Sequence, residues 1–200
     1  MNPLDPGDRP VAAFGVGRSV ARKEDRRLLA GGGRYTGDIT LDDQAVGYVL
    51  RSPYAHGVIR GLAVEDALSV PGVIAVYTGA DLERAGYNPL PCPLPLKSRD
   101  GTPLIVPARH VLARDRVRYV GEPVAFVVAE TLAAARDGAE RIGLDIEALP
   151  AVTDIEAAVR ADAPQLFEEA PGNVCLDWSF GDEAAIDGAF AGAAHVTRLK

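Results

Sequence analysis

The chain has 200 residues, 48% of them hydrophobic and 24% charged, which fits one globular domain, or one and part of a second, and excludes wholesale disorder. With 28 acidic against 21 basic side chains the net charge is −7, which excludes a duplex-DNA binder, since that needs a basic face to displace phosphate counterions. No apolar run approaches the roughly 18 residues of a membrane span, and the two cysteines, Cys92 and Cys175, lack a CxxC, which excludes an iron–sulfur or zinc-ribbon module here and fits a reducing cytoplasm.

The chain opens on acids and prolines where a secretory signal would place a basic and then an apolar stretch. Residues 1–29 read as an arm, basic through Arg18, Arg22, Lys23, Arg26 and Arg27, with Arg34 following and one helical turn expected around 23–29. Gly31-Gly32-Gly33 then permits tight backbone geometry. Alternation predicts strands at 44–51 and 57–64, a short helix at 65–70 stopped by Pro71-Gly72, a β-branched strand at 73–78 and a helix at 80–85. Residues 86–109 hold six of the fifteen prolines, and Pro91-Cys92-Pro93-Leu94-Pro95 must be extended. So long a connection is usually functional or wraps a neighbour.

Regular structure resumes with a strand expected at 116–120 and the strongest buried-strand signal at 123–129. Thr131 can cap a helix running to about Ile142, with Leu132, Ala135, Ala139 and Ile142 on one stripe. A strand at 144–149 and a helix opened by Asp154 and running through Ala161 come next, and a domain boundary is expected near 150–165. Beyond it, short strands at 173–180 and 195–199 are expected to flank a helix at 183–190, the last strand ending where its sheet partners should begin. Charge is uneven: 16 basic and 13 acidic residues lie in 1–120, against 5 basic and 15 acidic in 121–200.

The glycine clusters do not make a nucleotide loop. Gly15-Val16-Gly17 has no strand before it and no third small residue, and no GxxxxGK[ST] exists. His56, His110 and His195 are far apart and lack ligand-spaced neighbours, and no GxSxG supports a catalytic triad. Both cysteines read as buried or loop thiols. In Gly121-Glu122-Pro123 the carboxylate could be a general base, but without a visible partner carboxylate an ion-pair or structural role is favoured. The residues themselves therefore assign no catalytic, no cofactor-binding and no metal-binding position.

Several phrases, in order, resemble the large molybdenum-cofactor subunit of the xanthine dehydrogenase, aldehyde oxidase and aerobic carbon monoxide dehydrogenase family. They are Gly15-Val-Gly-Arg-Ser19, Arg22-Lys-Glu-Asp-Arg26, Gly31-Gly-Gly-Arg-Tyr-Thr-Gly-Asp-Ile39, Leu50-Arg-Ser-Pro-Tyr-Ala-His56 and Pro71-Gly-Val-Ile-Ala-Val-Tyr-Thr-Gly-Ala-Asp-Leu82. Val117-Arg-Tyr-Val-Gly-Glu-Pro-Val-Ala125, Val127-Val-Ala-Glu-Thr131, Leu149-Pro-Ala-Val-Thr-Asp154, Asn173-Val and Gly181-Asp182 complete the series. The resemblance implies an α+β fold: an N-terminal arm (1–29), an α/β-hammerhead domain of mixed sheet and helices (30–155) and the first elements of a molybdopterin-binding domain (156–200). It implies a cytoplasmic, oligomeric oxidoreductase whose molybdenum–molybdopterin, FAD and [2Fe-2S] clusters lie in the rest of the large subunit and on partner flavin and iron–sulfur chains. This chain alone is expected to bind none of them, because the family's cofactor loops and catalytic glutamate lie downstream of residue 200. Arg51 to His56 and Gly121 to Pro123 are the signature phrases, with Pro53 and Pro123 expected at strand edges and Arg51 and His56 expected to satisfy local polar groups. Three readings stay open at this point: a scaffold and interface portion of such an enzyme, supplied as a fragment or as one chain of a split subunit; a free-standing small-molecule binding module with the 86–109 segment as its lid; and an assembly protein tethering partners through the basic arm.

Overall fold

Seven consecutive residues that are apolar or small, PVAFVVA, form strand β5 (Pro123–Ala129), with Val124, Ala125, Val127 and Ala129 wholly buried. In this computed structural model, which describes residues 20–199, β5 is the centre of one of two antiparallel three-stranded sheets. The chain divides into two compact units, 1–44 and 45–200.

In the first unit, α1 (Asp25–Leu29) is anchored by Asp25, which accepts from the Arg22 N–H at 2.9 Å and from Arg22 Nε at 3.0 Å. The helical turn expected at 23–29 is thus present, two residues shorter. A 3-10 turn at Thr36–Asp38 follows, closed by Asp38 accepting from the Tyr35 N–H at 2.8 Å. The Gly15–Ser19 phrase and Arg18 of the basic arm lie outside the described residues.

In the second unit, β1 (Val46–Arg51), β5 and β3 (Val73–Thr78) form the first sheet in the order β1-β5-β3. Strands β4 (Arg116–Val117), β2 (Gly57–Ala63) and β6 (Gly143–Ala148) form the second, in the order β4-β2-β6. Consecutive strands therefore alternate between the sheets. Register is set at Tyr48↔Val127 and Val76↔Val127 in the first sheet and at Ile59↔Ile146 in the second.

Helix α4 (Leu132–Arg141) packs its small face on the first sheet. Thr131 caps it, accepting from the Ala134 N–H at 3.1 Å. The buried stripe is Ala135, Gly138, Ala139 and Ile142, helical spacing with one correction: Leu132 is exposed and the stripe begins a turn later. Gly138 is required there, because a Cβ would sit 2.8 Å from Val73 Cγ2 and 3.3 Å from Val127 Cγ1. The short α2 (Glu65–Leu68) adds Ala67 to the same core. Val124, on the opposite face of β5, joins Val117, Ala113, Ile59, Leu144 and Ile146 in a second cluster, so β5 serves both cores.

Helix α3 (Gly79–Arg84) starts in a capping box. The Asp81 carboxylate accepts from the Thr78 hydroxyl at 2.6 Å and the Thr78 N–H at 2.7 Å, with Arg84 beside it. The Thr78 hydroxyl, then the Thr78 N–H, hold the Asp81 carboxyl below its ordinary range.

After α3 the chain runs extended to β4, interrupted by one tight loop. There Lys97 bridges Pro103, and Asp100 accepts from the Thr102 hydroxyl at 2.6 Å and the Thr102 N–H at 2.9 Å. This loop lies along residues 175–177: the Arg99 N–H donates to the Asp177 carbonyl at 2.8 Å and the Ile105 N–H to the Cys175 carbonyl at 3.0 Å.

Beyond β6, α5 (Ile155–Ala158) is capped by Asp154, and α6 (Glu183–Ala191) by Asp182. Strands expected at 173–180 and 195–199 do not form. Val174, Leu176, Trp178 and Phe180 do alternate, but the loop at 99–105 offers that segment two backbone hydrogen bonds rather than a ladder, and nothing described pairs with 195–199. The strand expected at 116–120 stops at Val117, because residues 119–122 turn, with Gly121 at φ +87° and the Glu122 N–H donating to the Tyr119 carbonyl at 3.2 Å.

Candidate functional site

The two signature phrases meet. Arg51 ends β1 opposite Pro123, the first residue of β5, where the register slips by one. A proline has no N–H to give the ladder at that point, and side chains and loop amides take over. Arg51 Nη1 donates to the Gly121 carbonyl at 2.9 Å, the Gly121 N–H to the Ser52 carbonyl at 2.8 Å, and the Ser52 N–H to the Glu122 carbonyl at 2.9 Å. Gly121 sits in the left-handed region, which a side chain would strain.

Ser52 is buried, and its hydroxyl accepts from the Tyr54 N–H at 3.0 Å and donates to the Tyr54 carbonyl at 3.1 Å. His56 is 4% exposed and closes the corner onto the exit of β6. Its carbonyl accepts from the Leu149 N–H at 2.9 Å, and its Nδ1 lies 2.8 Å from the Pro150 carbonyl. A carbonyl only accepts, so Nδ1 carries the proton; Nε2 is buried with no hydrogen-bond partner.

Glu122 is engaged locally. Its carboxylate accepts from the Arg118 N–H, closing the turn that leads into β5. The Arg118 side chain continues outward: Nε donates to the Leu166 carbonyl at 2.9 Å and the guanidinium lies 4.5 Å from the Phe167 ring centroid. Leu166 in turn donates its N–H to Asn173 Oδ1 at 2.9 Å, while Asn173 Nδ2 donates to the carbonyls of Ala158 and Pro164, both at 2.9 Å. The corner, the turn and the 164–173 segment form one hydrogen-bonded frame. Sequence reading isolated Glu122 and the Arg51–His56 phrase, while Arg118 and Asn173 stood only inside longer phrases with no role assigned; Asn173 is at φ +58°, a conformation Asn tolerates better than most residues.

The other candidates stay apart. His110 is half-buried before β4, and His195 is exposed, with Nε2 3.2 Å from the Thr197 hydroxyl. Cys92 is exposed and Cys175 half-buried, both as free thiols. Among the described residues no group of three or more His, Cys, Asp or Glu side chains is placed to hold a metal ion, and no helix is long and apolar enough to cross a membrane. The arrangement fixes backbone geometry through these hydrogen bonds.

Residues 30–150 match the family described as aldehyde oxidase and xanthine dehydrogenase, a/b hammerhead domain. The nicotine 6-hydroxylase large subunit of Paenarthrobacter nicotinovorans is 39% identical over 195 residues, covering 94% of this chain and 22% of that protein. A crystal structure of a Cu,Mo-CO dehydrogenase superposes with a TM-score of 0.70 at 32% identity, covering 90% of this chain and 23% of that one. Quinoline 2-oxidoreductase from Pseudomonas putida 86 gives 0.63 at 41% identity, over 74% of this chain and 18% of that one. The chain thus spans less than a quarter of the length of these proteins.

Proposed function

The chain belongs to the aldehyde oxidase and xanthine dehydrogenase a/b hammerhead domain family, and from that membership we propose that it is the scaffold and interface portion of the large subunit of a molybdenum-dependent oxidoreductase. The observation that carries the reading is the family match over 30–150, a span that includes both phrases of the corner, Arg51–His56 and Gly121–Pro123. The relatives named above are a hydroxylase large subunit, a copper–molybdenum dehydrogenase and an oxidoreductase, which gives a free-standing binding module or tether no support.

On this reading the corner holds β1, β5 and the exit of β6 in fixed register and hands that rigidity to residues 164–173 through Arg118. The corner's residues do not fit a molybdenum–pterin group. Arg51, Ser52, Glu122 and Arg118 are engaged with backbone partners, and His56, whose Nε2 is orphaned, lines none of four surface cavities found among the described residues. The cofactor belongs, in this proposal, to polypeptide outside residues 1–200, with FAD and iron–sulfur clusters on partner chains and the assembly in the cytoplasm. The division into arm (1–29), hammerhead domain (30–155) and start of a cofactor-binding region (156–200) is part of the same proposal.

The test is to express the 200-residue chain in a host that makes the molybdenum cofactor, then measure bound metal by mass spectrometry and dye-linked dehydrogenase activity. A folded chain with neither is the expected result. Stoichiometric molybdenum or turnover by the chain alone would overturn the proposal.

A further inference from the structure

Asp is followed by Gly at three places, Asp100-Gly101, Asp137-Gly138 and Asp187-Gly188. In such a pair the side-chain carboxyl carbon and the next amide nitrogen can close into a five-membered ring, and a glycine leaves that nitrogen unscreened by a Cβ. Asp137-Gly138 and Asp187-Gly188 lie inside α4 and α6, where the helix ladder holds the glycine amide. Asp100-Gly101 lies in a loop.

That loop is tied by its own backbone: the Ser98 N–H donates to the Thr102 carbonyl at 2.8 Å and the Gly101 N–H to the Ser98 carbonyl at 2.9 Å. Thr102 also grips the reacting side chain, its hydroxyl at 2.6 Å and its N–H at 2.9 Å both donating to Asp100 Oδ1. Donors favour the ionised carboxylate, and the Thr102 hydroxyl, then its N–H, hold the Asp100 carboxyl below its ordinary value near 3.8. The carboxyl that an amide nitrogen attacks is the neutral acid, so this grip opposes ring closure. The ring nitrogen also carries no hydrogen, so closure breaks the Gly101 bond to Ser98.

We propose that Asp100-Gly101 is a latent isoaspartate site that the Thr102 hydroxyl holds closed, and that its conversion frees residues 175–177 from the loop. This stands apart from the subunit reading above, because the reaction joins two neighbouring residues and takes only water. The Gly101 nitrogen bonds to the Asp100 carboxyl carbon, and the carboxyl's hydroxyl leaves with the Gly101 N–H proton as water. Water then opens the ring. Attack at the side-chain carbonyl restores aspartate; attack at the main-chain carbonyl leaves the chain running through the side-chain carbons, with the former backbone carboxyl as side group. No atom is gained or lost overall and nothing is oxidised. The backbone is then longer by one carbon inside a loop closed by the Ser98–Thr102 bond and the Lys97–Pro103 bridge. The same loop carries the Arg99 and Ile105 N–H bonds to the Asp177 and Cys175 carbonyls, which the added length pulls out of line.

The experiment holds the 200-residue chain and a synthetic peptide of residues 94–107 in warm neutral buffer for weeks, and reads isoaspartate at position 100 by electron-transfer fragmentation. The peptide should convert and the wild-type chain should lag well behind it. Thr102→Val should speed the chain about threefold or more, the effect of one net hydrogen bond. Thr102→Ser, which keeps the hydroxyl, should hold the wild-type pace. Asp137 and Asp187 should stay unconverted throughout, and hydrogen exchange at the Arg99 and Ile105 amides should quicken in converted chains. A wild-type chain as fast as the peptide, a peptide that does not convert, or Thr102→Val at the wild-type pace overturns the proposal. So does Thr102→Ser as fast as Thr102→Val, an equal rise at Asp137, which would report general loosening, or unchanged exchange at residues 99 and 105 after conversion.

Discussion

The Arg118 guanidinium lies 4.5 Å from the centroid of the Phe167 ring, 49 residues away, while its Nε–H reaches the neighbouring Leu166 carbonyl at 2.9 Å. One side chain thus joins the strand that opens the β4–β5 turn to the 164–173 segment. Arg118→Ala should lower stability by about 1–3 kcal/mol through loss of the charged hydrogen bond and the ring contact. Amide exchange should rise at 164–173 far more than in β5. Arg118→Lys should recover only part, because an ammonium does not stack as a planar guanidinium does. Hydrogen exchange with mass spectrometry reads both, and uniform loosening of the whole chain would contradict the local role.

Gly138 lets α4 close on the sheet. Gly138→Val should cost about 1–3 kcal/mol or more by overpacking against Val73 and Val127, despite being remote from the corner. Urea denaturation checks this, and Gly188→Ala, where a Cβ meets nothing within 4 Å, serves as the tolerated control.

The Thr78–Asp81 box makes an acid-dependent contribution. The Asp81 carboxyl is held below its ordinary value near 3.8, so the folded state favours its ionised form. That stabilisation is complete above pH ~4 and is lost as pH falls through the lowered folded value. Asp81→Ala should therefore destabilise at pH 7 by about 1 kcal/mol, the usual worth of a cap. The gap between wild type and variant should narrow as pH falls below about 4. Melting temperatures measured between pH 3 and 7 give the answer, and a gap that widens on acidification would contradict it.

Gly121 holds φ +87° with open space around it, so backbone strain is the whole cost of a side chain there. Gly121→Ala should destabilise by about 1–2 kcal/mol. It should also loosen the Arg51 contact to its carbonyl, visible as faster exchange of the Ser52 amide in NMR.

How much of this was legible follows from the range of each interaction. β5 and the Thr131 cap came directly from local chemistry, seven apolar or small residues in a row and a hydroxyl three residues before a free N–H; α3 was expected at 80–85, but the Thr78–Asp81 box that starts it was not read. The proline run and both signature phrases were equally plain. What joins them was not, because Arg51 and Gly121 are 70 residues apart and no period encodes a side chain reaching a distant carbonyl. The 173–180 segment has the alternation of a strand, yet its neighbour at 99–105 carries Pro103 and a tight loop, so pairing stops at two bonds. Leu132 fits the helical stripe by spacing and is exposed, because the core supports the helix only from Ala134 on.

The alternation of strands between the two sheets has a consequence for synthesis on the ribosome. The first sheet lacks its middle strand until residue 129 has emerged, and the second lacks an edge until residue 148, so the nascent chain cannot bank either layer early. The polypeptide must hold β1 to β3 unpaired while the whole proline-rich stretch is being made. That stretch, stiff and poor in donors, is ill suited to joining a stray ladder during the wait.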